Sequence, residues 1–162
     1  MQPKRPRLQS NVYIGLQRYF LTFCTADRRN WFVDAEHVDP VREQILHAAV
    51  LFEMEISAHC FMPDHVHLLV EGQTESADAC AFVHQAKQRS GFMFSRSFGA
   101  RLWQPSYYDR ILREEEDSLS VTRYIFDNPV VDGLVKSPVE YPFMGSAKYS
   151  LQQILEAIAW QP

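Results

Sequence analysis

The sequence has few of the features that mark a protein outside the ordinary globular class. Its three cysteines include no Cys-x-x-Cys pair, so neither a disulfide framework nor a thiolate zinc site is predicted. No run approaches about 18 consecutive apolar residues, and no apolar signal core follows the basic N-terminus, so no membrane span or secretion signal is predicted. With six glycines, no repeat and no low-complexity tract, the 162 residues suit one compact domain, which we expect in the cytoplasm.

Charge of either sign is unevenly distributed along the chain. The net charge of −4, from 16 basic and 20 acidic residues, argues weakly against a nucleic-acid partner when taken alone. Residues 1–29 nevertheless carry six basic side chains and one acidic, and residues 84–113 carry the same numbers, so each segment has a net charge of +5. Residues 30–83 and 114–162 supply the acidic excess of −9 and −5. If the fold brings the two basic segments together, they form one positive face.

The order of predicted elements indicates an α+β fold. Aromatic and β-branched composition predicts strands, while apolar residues at helical spacing and capping residues predict helices. Asp39 and Pro40 are read as the start of the first helix, and Pro129 as the end of the third. The order is typical of a ferredoxin-like βαββαβ antiparallel sheet with helices on one face, plus C-terminal helices. The predicted strands are 18–25, 54–61, 65–71 and 102–112; the predicted helices are 39–52, 76–97, 118–128 and one after residue 150.

The most informative pattern is the His-x-His pair in the third predicted strand. Residues i and i+2 of a strand point to the same side, so His65 and His67 present two imidazoles on one face. Val66 and Leu68 then point into the core. Neutral imidazoles are metal ligands, and polar side chains on an otherwise apolar strand need a reason to be there. The pattern predicts a metal site whose third ligand lies elsewhere in the chain.

Glu71 is one candidate for that third ligand. His-x-His-x-x-x-Glu is also the first metal motif of cupin barrels, which makes a cupin-like metalloenzyme a minor alternative. His59 stands where that motif has a glycine, and the second half of the chain is predicted to be helical. Helices covering one face of an open sheet would exclude this alternative.

The other candidate ligand lies on the predicted helix 118–128. Residues i and i+4 lie above one another on a helix, so Tyr124 and Asn128 share a face. A phenol beside an amide oxygen suits a metal site at which a tyrosine ester forms, because the amide coordinates while the phenol attacks. Without the histidine pair, Tyr124 would be read as an ordinary amphipathic residue.

Three motifs together resemble a known family. They are residues 62–69 (MPDHVHLL), 103–115 (WQPSYYDRILREE) and 123–135 (RYIFDNPVVDGLV). Their order and spacing resemble the single-tyrosine HUH transposases, and within these the REP-associated tyrosine transposases. The resemblance extends from about residue 19 to residue 142. It implies a single HUH transposase-like domain over residues 1–162, with a core at about 18–142, a basic arm at 1–17 and a helix at about 150–160.

The resemblance also implies an activity. His65 and His67 would be metal ligands, Asn128 the third, amide-bearing ligand, and Tyr124 the nucleophile. Family members use a divalent ion, Mg²⁺ or Mn²⁺ here, to cleave and rejoin single-stranded DNA near hairpins through a 5′-phosphotyrosine intermediate. A domesticated module that binds hairpin DNA without cutting it is the main alternative. Monomer and homodimer are both left open.

The basic segments and nearby aromatics are weaker candidates for DNA contact. Clustered Lys and Arg side chains track phosphates, and exposed aromatics stack on unpaired bases. The aromatic residues have the competing interpretation that they pack in the core. The candidate DNA-binding residues are Lys4, Arg5, Arg7, Lys87, Arg89, Arg96, Trp103, Tyr107 and Tyr108.

Overall fold

The computed structural model describes residues 10–162, in which five strands form one antiparallel sheet. The strand order across the sheet is β4-β1-β3-β2-β5, which confirms the predicted βαββαβ core. The strands are β1 (Arg18–Cys24), β2 (Met54–Met62), β3 (His65–Gly72), β4 (Tyr108–Leu112) and β5 (Met144–Gly145). The α-helices are α1 (Ala35–Leu51), α2 (Ala79–Phe98), α3 (Glu115–Val131) and α4 (Leu151–Ala157).

The main core lies between the sheet and the first two helices. Strand β1 alternates strictly, so that Tyr19, Leu21 and Phe23 are buried and their neighbours are half-buried. These side chains join one apolar cluster with residues of α1 and α2, such as Ile45 and Phe82. Helices α1 and α2 therefore cover one face of an open sheet, and this arrangement overturns the cupin-like alternative.

A smaller core forms on the opposite face. Cys60, Met62 and Leu69 point away from α1 and α2 and cluster with Val121 and Ile125 of α3. Helix α4 adds Ile154 and Ile158 to the same cluster. Helix α3 thus packs over β2 and β3, on the face of the sheet opposite α1 and α2. The second face is only partly open, and the rim of α3 borders the exposed part.

Two helix boundaries differ from the sequence prediction. The first helix begins at Ala35 rather than at Pro40, because the Asp34 side chain accepts a hydrogen bond from the His37 backbone nitrogen and caps it. The third begins at Glu115, before its predicted start at residue 118, and continues through Pro129 to Val131. A helix tolerates a proline when packing outweighs one lost backbone hydrogen bond, and the buried side chains of Val121, Ile125 and Phe126 supply that packing.

The fourth and fifth strands also differ from expectation. Only residues 108–112 of the predicted segment 102–112 form β4, because Trp103 makes an isolated bridge with Thr25 and Pro105 has no N–H to pair. The short strand β5 was not predicted, since two residues carry no periodic signal. All three cysteines are free thiols. No helix within residues 10–162 combines the length and apolar character needed to cross a bilayer.

Candidate active site

Strand β3 presents two imidazoles on the partly open face of the sheet. His65 lies opposite Cys24 of β1 and Met62 of β2, and His67 opposite Thr22 and Cys60. The two Nε2 atoms are 3.1 Å apart, and the ring centroids are separated by 4.6 Å at an interplanar angle of 73°. The rings therefore converge through one nitrogen each.

The other nitrogen of each ring is held by a neighbouring side chain. His65 Nδ1 donates to Asp64 Oδ1 at 2.7 Å, and His67 Nδ1 is hydrogen-bonded to Thr22 Oγ1 at 2.8 Å. The other carboxylate oxygen of Asp64 accepts a 2.8 Å hydrogen bond from Arg28 Nε. Partners of this kind orient imidazole rings and select which nitrogen carries the proton. They direct both Nε2 atoms toward a common point.

Burial sets the protonation state of the second imidazole. Burial first, and then the positive charges of His65 and Arg28, together lower the pKa of His67 to about 3. Burial alone would raise the pKa of Asp64, but hydrogen bonds from His65 and Arg28 outweigh it and hold that pKa below its ordinary value. At neutral pH the site therefore contains a neutral His67 beside an ionised Asp64.

The converging nitrogens fit a divalent cation. Two lone pairs at 3.1 Å repel unless a proton or a cation lies between them, and both Nδ1 atoms are already occupied. In residues 10–162 no group of three His, Cys, Asp or Glu side chains is arranged to hold a metal ion. Glu71 in particular lies at the end of β3, 4.0 Å from Lys148 Nζ. A third protein donor would thus be an amide or a hydroxyl.

Helix α3 places Tyr124 beside the histidine pair in the same chain. The Tyr124 ring lies 5.4 Å from that of His67 at 64°, and 5.9 Å from that of Phe20 at 81°. Edge-to-face contacts of this kind fix a ring without covering it. The side chain is 54% exposed, although the helix is packed against the sheet through Val121 and Ile125. Tyr124 is therefore both positioned and open to a ligand.

Asn128 occupies the next turn of the same helix. It is four residues beyond Tyr124, as the sequence predicts, and it is 9% exposed. Its backbone carbonyl accepts from the Asp132 nitrogen, so α3 is still helical here despite the adjacent Pro129. The predicted set of His65, His67, Tyr124 and Asn128 comes from β3 and α3, two elements that pack together.

The predicted cations do not gather on this face. Lys87, Arg89 and Arg96 belong to α2, which packs on the other side of the sheet from His65 and His67. Lys87 Nζ donates to the carbonyls of Gln104 and Ser106, both at 2.8 Å, and Arg89 Nε bonds Gln44 of α1. The expected single positive face around the histidine pair is therefore not formed by α2. The remaining three, Lys4, Arg5 and Arg7, lie outside the described residues.

The three predicted stacking aromatics have different environments. Trp103 is 5% exposed, packs edge-on against Phe23, and donates from Nε1 to Ser90 Oγ at 2.9 Å, so it is a core residue rather than an open stacking platform. Tyr107 is half-buried beside Phe23 on the same side of the sheet. Tyr108 instead lies opposite Thr22, is 40% exposed, and contacts Phe20 on the histidine face.

Sequence reasoning missed four residues that shape the site. Thr22 and Asp64 hold the imidazoles, Arg28 holds Asp64, and Phe20 supports both His67 and Tyr124. Asp64 had a usable signal, because it stands in the turn immediately before His65. Thr22 and Phe20 could be placed on one face of β1 by alternation, but the register that brings them opposite β3 is a long-range property.

The sequence of this chain is similar to those of known proteins. Residues 14–128 match the family model described as transposase IS200 like. The chain belongs to the IS200-like transposase family. Among curated members, the REP-associated tyrosine transposase of Escherichia coli is 25% identical over 132 residues, covering 81% of this chain and 77% of the relative. A candidate REP-associated tyrosine transposase of Haemophilus influenzae is 24% identical over 136 residues, which cover 77% of each chain.

A solved structure of another family member has the same fold. The REP-associated tyrosine transposase bound to a REP hairpin aligns with this IS200-like chain at a TM-score of 0.72 and 24% sequence identity. The alignment covers 89% of this chain and 82% of the other. The predicted family and the predicted α+β fold are thereby confirmed.

Proposed function

We propose that this IS200-like transposase is a metal-dependent transesterase that cleaves and rejoins single-stranded DNA near hairpins. One observation carries the proposal: the Nε2 atoms of His65 and His67 converge at 3.1 Å, and the Tyr124 ring contacts His67 from the same chain. The REP hairpin held by the related transposase supports hairpin DNA as the ligand. The combination of a metal-binding pair and an exposed phenol is what phosphoryl transfer to tyrosine requires.

His65, His67 and Asn128 would hold the divalent ion, Mg²⁺ or Mn²⁺. When bound, the ion supplies charge that polarises a phosphate oxygen and offsets the negative charge of the transition state. Asp64 and Thr22 keep the imidazoles oriented for it, because each engages the nitrogen that faces away. The buried His67 stays neutral at physiological pH, so its lone pair remains available.

Tyr124 supplies the nucleophile. Its phenolic oxygen forms a bond to the scissile phosphorus, the bond from phosphorus to the 3′ oxygen breaks, and the 3′ oxygen leaves as a hydroxyl. The phenolic proton passes to solvent, to which the half-exposed side chain is open, and the leaving 3′ oxygen takes a proton from solvent. The 5′-phosphotyrosine retains a phosphodiester bond, so a second 3′-hydroxyl can reverse the reaction and rejoin DNA without an energy source.

A covalent-adduct assay tests this function. Incubation with Mn²⁺ and a hairpin oligonucleotide that carries a labelled single-stranded flank should give a protein–DNA band that survives denaturation. Tyr124→Phe should remove the band while binding is retained, because only the nucleophilic oxygen is lost. Tyr108→Phe is the matched control, since Tyr108 is an exposed phenol on the same face. An undiminished band in Tyr124→Phe would assign the nucleophile elsewhere.

The same assay separates the proposal from its main alternative. A module that only binds hairpins would shift the oligonucleotide in a native gel yet form no adduct with Mg²⁺, Mn²⁺ or Zn²⁺. Each flank polarity should be tried with the label at either end of the oligonucleotide, because a 5′-phosphotyrosine retains only the DNA on the 3′ side of the scissile bond. Binding without any adduct across these conditions would replace the catalytic proposal with the binding-only one.

A further inference from the structure

One long stretch of this acidic protein contains no acid. Residues 79–108 include no Asp or Glu, although the chain has 20 of them, and carry Lys87, Arg89, Arg96 and Arg101. The stretch comprises α2 and the segment that leads into β4. The structure folds these two halves against each other on the side of the sheet away from the histidine pair. Their common boundary is therefore positively charged.

A groove of about 650 Å³ runs along this boundary. That volume lies within the roughly 300–1,000 Å³ typical of ligand sites. Its walls combine cations, flat rings and amide or hydroxyl groups, and none of its lining residues is acidic. The lining residues include His84, Gln88, Phe92, Ser95, Arg101 and Tyr107.

The side chains of the groove suit unpaired bases. Phe92 is 64% exposed, which is unusual for a large apolar ring, and the Arg96 guanidinium lies 5.8 Å from its centroid. Gln88 and Gln104 offer donors and acceptors to base edges. Lys87 donates to the Gln104 and Ser106 carbonyls, which holds residues 104–106 against α2 and adds a positive charge to the groove. A cationic groove with exposed rings binds single strands, whose bases are free to stack, better than duplex.

The groove adjoins the candidate active site through the end of β1. The Gln104 backbone nitrogen donates to the Cys24 carbonyl at 2.9 Å, and Cys24 lies opposite His65 in the sheet. The next residue, Thr25, bridges Trp103 and donates from its nitrogen to the Asp64 carbonyl at 3.0 Å. A strand that leaves the histidine face around this end of the sheet would enter the groove directly.

We propose that this groove binds the unpaired DNA that flanks the hairpin, as a second DNA site on the opposite side of the sheet from His65 and His67. The inference rests on the proposed function, because it assumes that the ligand is hairpin DNA. It assigns DNA binding to a surface that the histidine pair and Tyr124 do not reach. The flank would thereby be held while its scissile phosphate lies on the other face.

A matched pair of substitutions tests the groove. Ser95→Glu places a carboxylate in the groove wall, whereas Ser97→Glu places the same charge on an exposed position of α2 outside the groove lining. The probes are a fluorescein-labelled hairpin with a single-stranded flank of mixed sequence, on the 5′ or the 3′ side, and the same hairpin without a flank. Binding is followed by fluorescence anisotropy. Phe92→Ala serves as a third variant that removes only the exposed ring.

We expect the wild type to bind one flanked hairpin more tightly than the flankless one. Ser95→Glu and Phe92→Ala should weaken flanked binding about tenfold, the scale of one stacked base, and leave flankless binding unchanged. Ser97→Glu should change neither. Arg101→Gln should also reduce the slope of log Kd against log salt concentration by about 0.7, the value of one phosphate contact on a single strand.

Three results would overturn the inference: no preference of the wild type for a flank, equal weakening by Ser95→Glu and Ser97→Glu, or equal loss on both probes. Preference for a free mononucleotide over the flanked hairpin would instead assign the groove to a small ligand. The adduct assay reports separately on the proposed function. If the wild type forms the adduct but the groove variants bind the flanked hairpin as the wild type does, only the groove proposal is refuted. If the wild type binds the flank specifically but forms no adduct, only the proposed chemistry is refuted.

Discussion

At the scale of residues, the site depends on side chains that do not themselves reach the reacting atoms. Asp64 and Thr22 each bind the outward nitrogen of one imidazole, and Arg28 in turn binds Asp64. Such partners commonly contribute 10- to 100-fold in metal affinity, because they restrict the ring and increase its basicity. The histidine pair is thus only the inner part of the arrangement.

Asp64→Asn should weaken Mn²⁺ binding by about 10- to 100-fold. The amide keeps the size of the carboxylate but loses the charge that strengthens its hydrogen bond to His65 Nδ1. Isothermal titration with Mn²⁺ measures the affinity without requiring catalysis. Asp39→Asn is the control, since Asp39 pairs with Arg42 on the surface of α1. Equal affinities of the two variants would show that Asp64 does not position His65.

His59 should make stability depend on pH. Burial, and then the charge of Arg42, lowers the pKa of His59 to about 4 from 6.5, and its Nδ1 has no hydrogen-bond partner among the described residues. His59 is therefore protonated near pH 6.5 in the unfolded chain but only near pH 4 in the folded chain. Stability is complete above pH 6.5 and falls as the pH drops through this interval.

Between pH 7.5 and pH 4.5 the His59 contribution amounts to about 2–3 kcal/mol. His59→Leu should lose less stability over that range than the wild type by this amount, because leucine does not titrate. Urea unfolding at both pH values measures the difference, and other titrating groups cancel between the two proteins. Identical pH dependence in the two chains would contradict the burial argument.

At the scale of elements, the end of β3 approaches the segment before β1 so closely that a side chain has no room at the contact. The Gly72 backbone nitrogen donates to the Gln17 carbonyl, and a Cβ on Gly72 would lie 1.9 Å from the Gly15 carbonyl oxygen. No backbone pair tolerates that distance, so the end of β3 requires glycine. Helix α2 contains Gly91, where a Cβ would meet only Trp103 at an ordinary 3.5 Å.

Gly72→Ala should therefore destabilise the fold by about 2 kcal/mol or more, since the backbone must shift to relieve the overlap. Gly91→Ala should stabilise it by about 0.5–1 kcal/mol, because alanine is the better residue inside a helix. Denaturant unfolding of both variants compares one substitution at two glycines. A stable Gly72→Ala chain would mean that residue 15 moves freely away from β3.

At the scale of the whole molecule, Tyr124 and the histidine pair meet within one chain. The 5.4 Å contact between the rings of His67 and Tyr124 links α3 to β3 of the same subunit. The second apolar cluster holds α3 there through Val121, Ile125 and Phe126. An arrangement with the tyrosine acting on a partner's site would require α3 to leave this cluster, so we expect Tyr124 to act with the histidines of its own chain.

Mixing two inactive variants tests this expectation. Tyr124→Phe and His67→Ala should each form no adduct, and their mixture should remain inactive if every site uses its own tyrosine. Dilution of the wild type with Tyr124→Phe should lower the adduct only in proportion, which serves as the control. Recovery of activity in the mixture would indicate that α3 crosses between subunits.

Several decisive features of this protein were accessible to local sequence reasoning. Strand alternation put His65 and His67 on one face, and helical spacing put Tyr124 and Asn128 on another, because these periods follow from backbone geometry alone. The βαββαβ order followed from the same periods. Pro129 misled the prediction, since a local preference against proline was outweighed by the packing of α3 on the sheet.

Tertiary structure alone decided which of these faces meet and which stay apart. It brought α3 over the histidine side, placed Thr22 opposite His67, and buried Trp103. It also put Lys87 and its neighbours across the sheet, beside a groove of their own. A sequence specifies the direction of each side chain within its own element, whereas the partner of each face depends on long-range register and burial, which only the assembled sheet and helices determine.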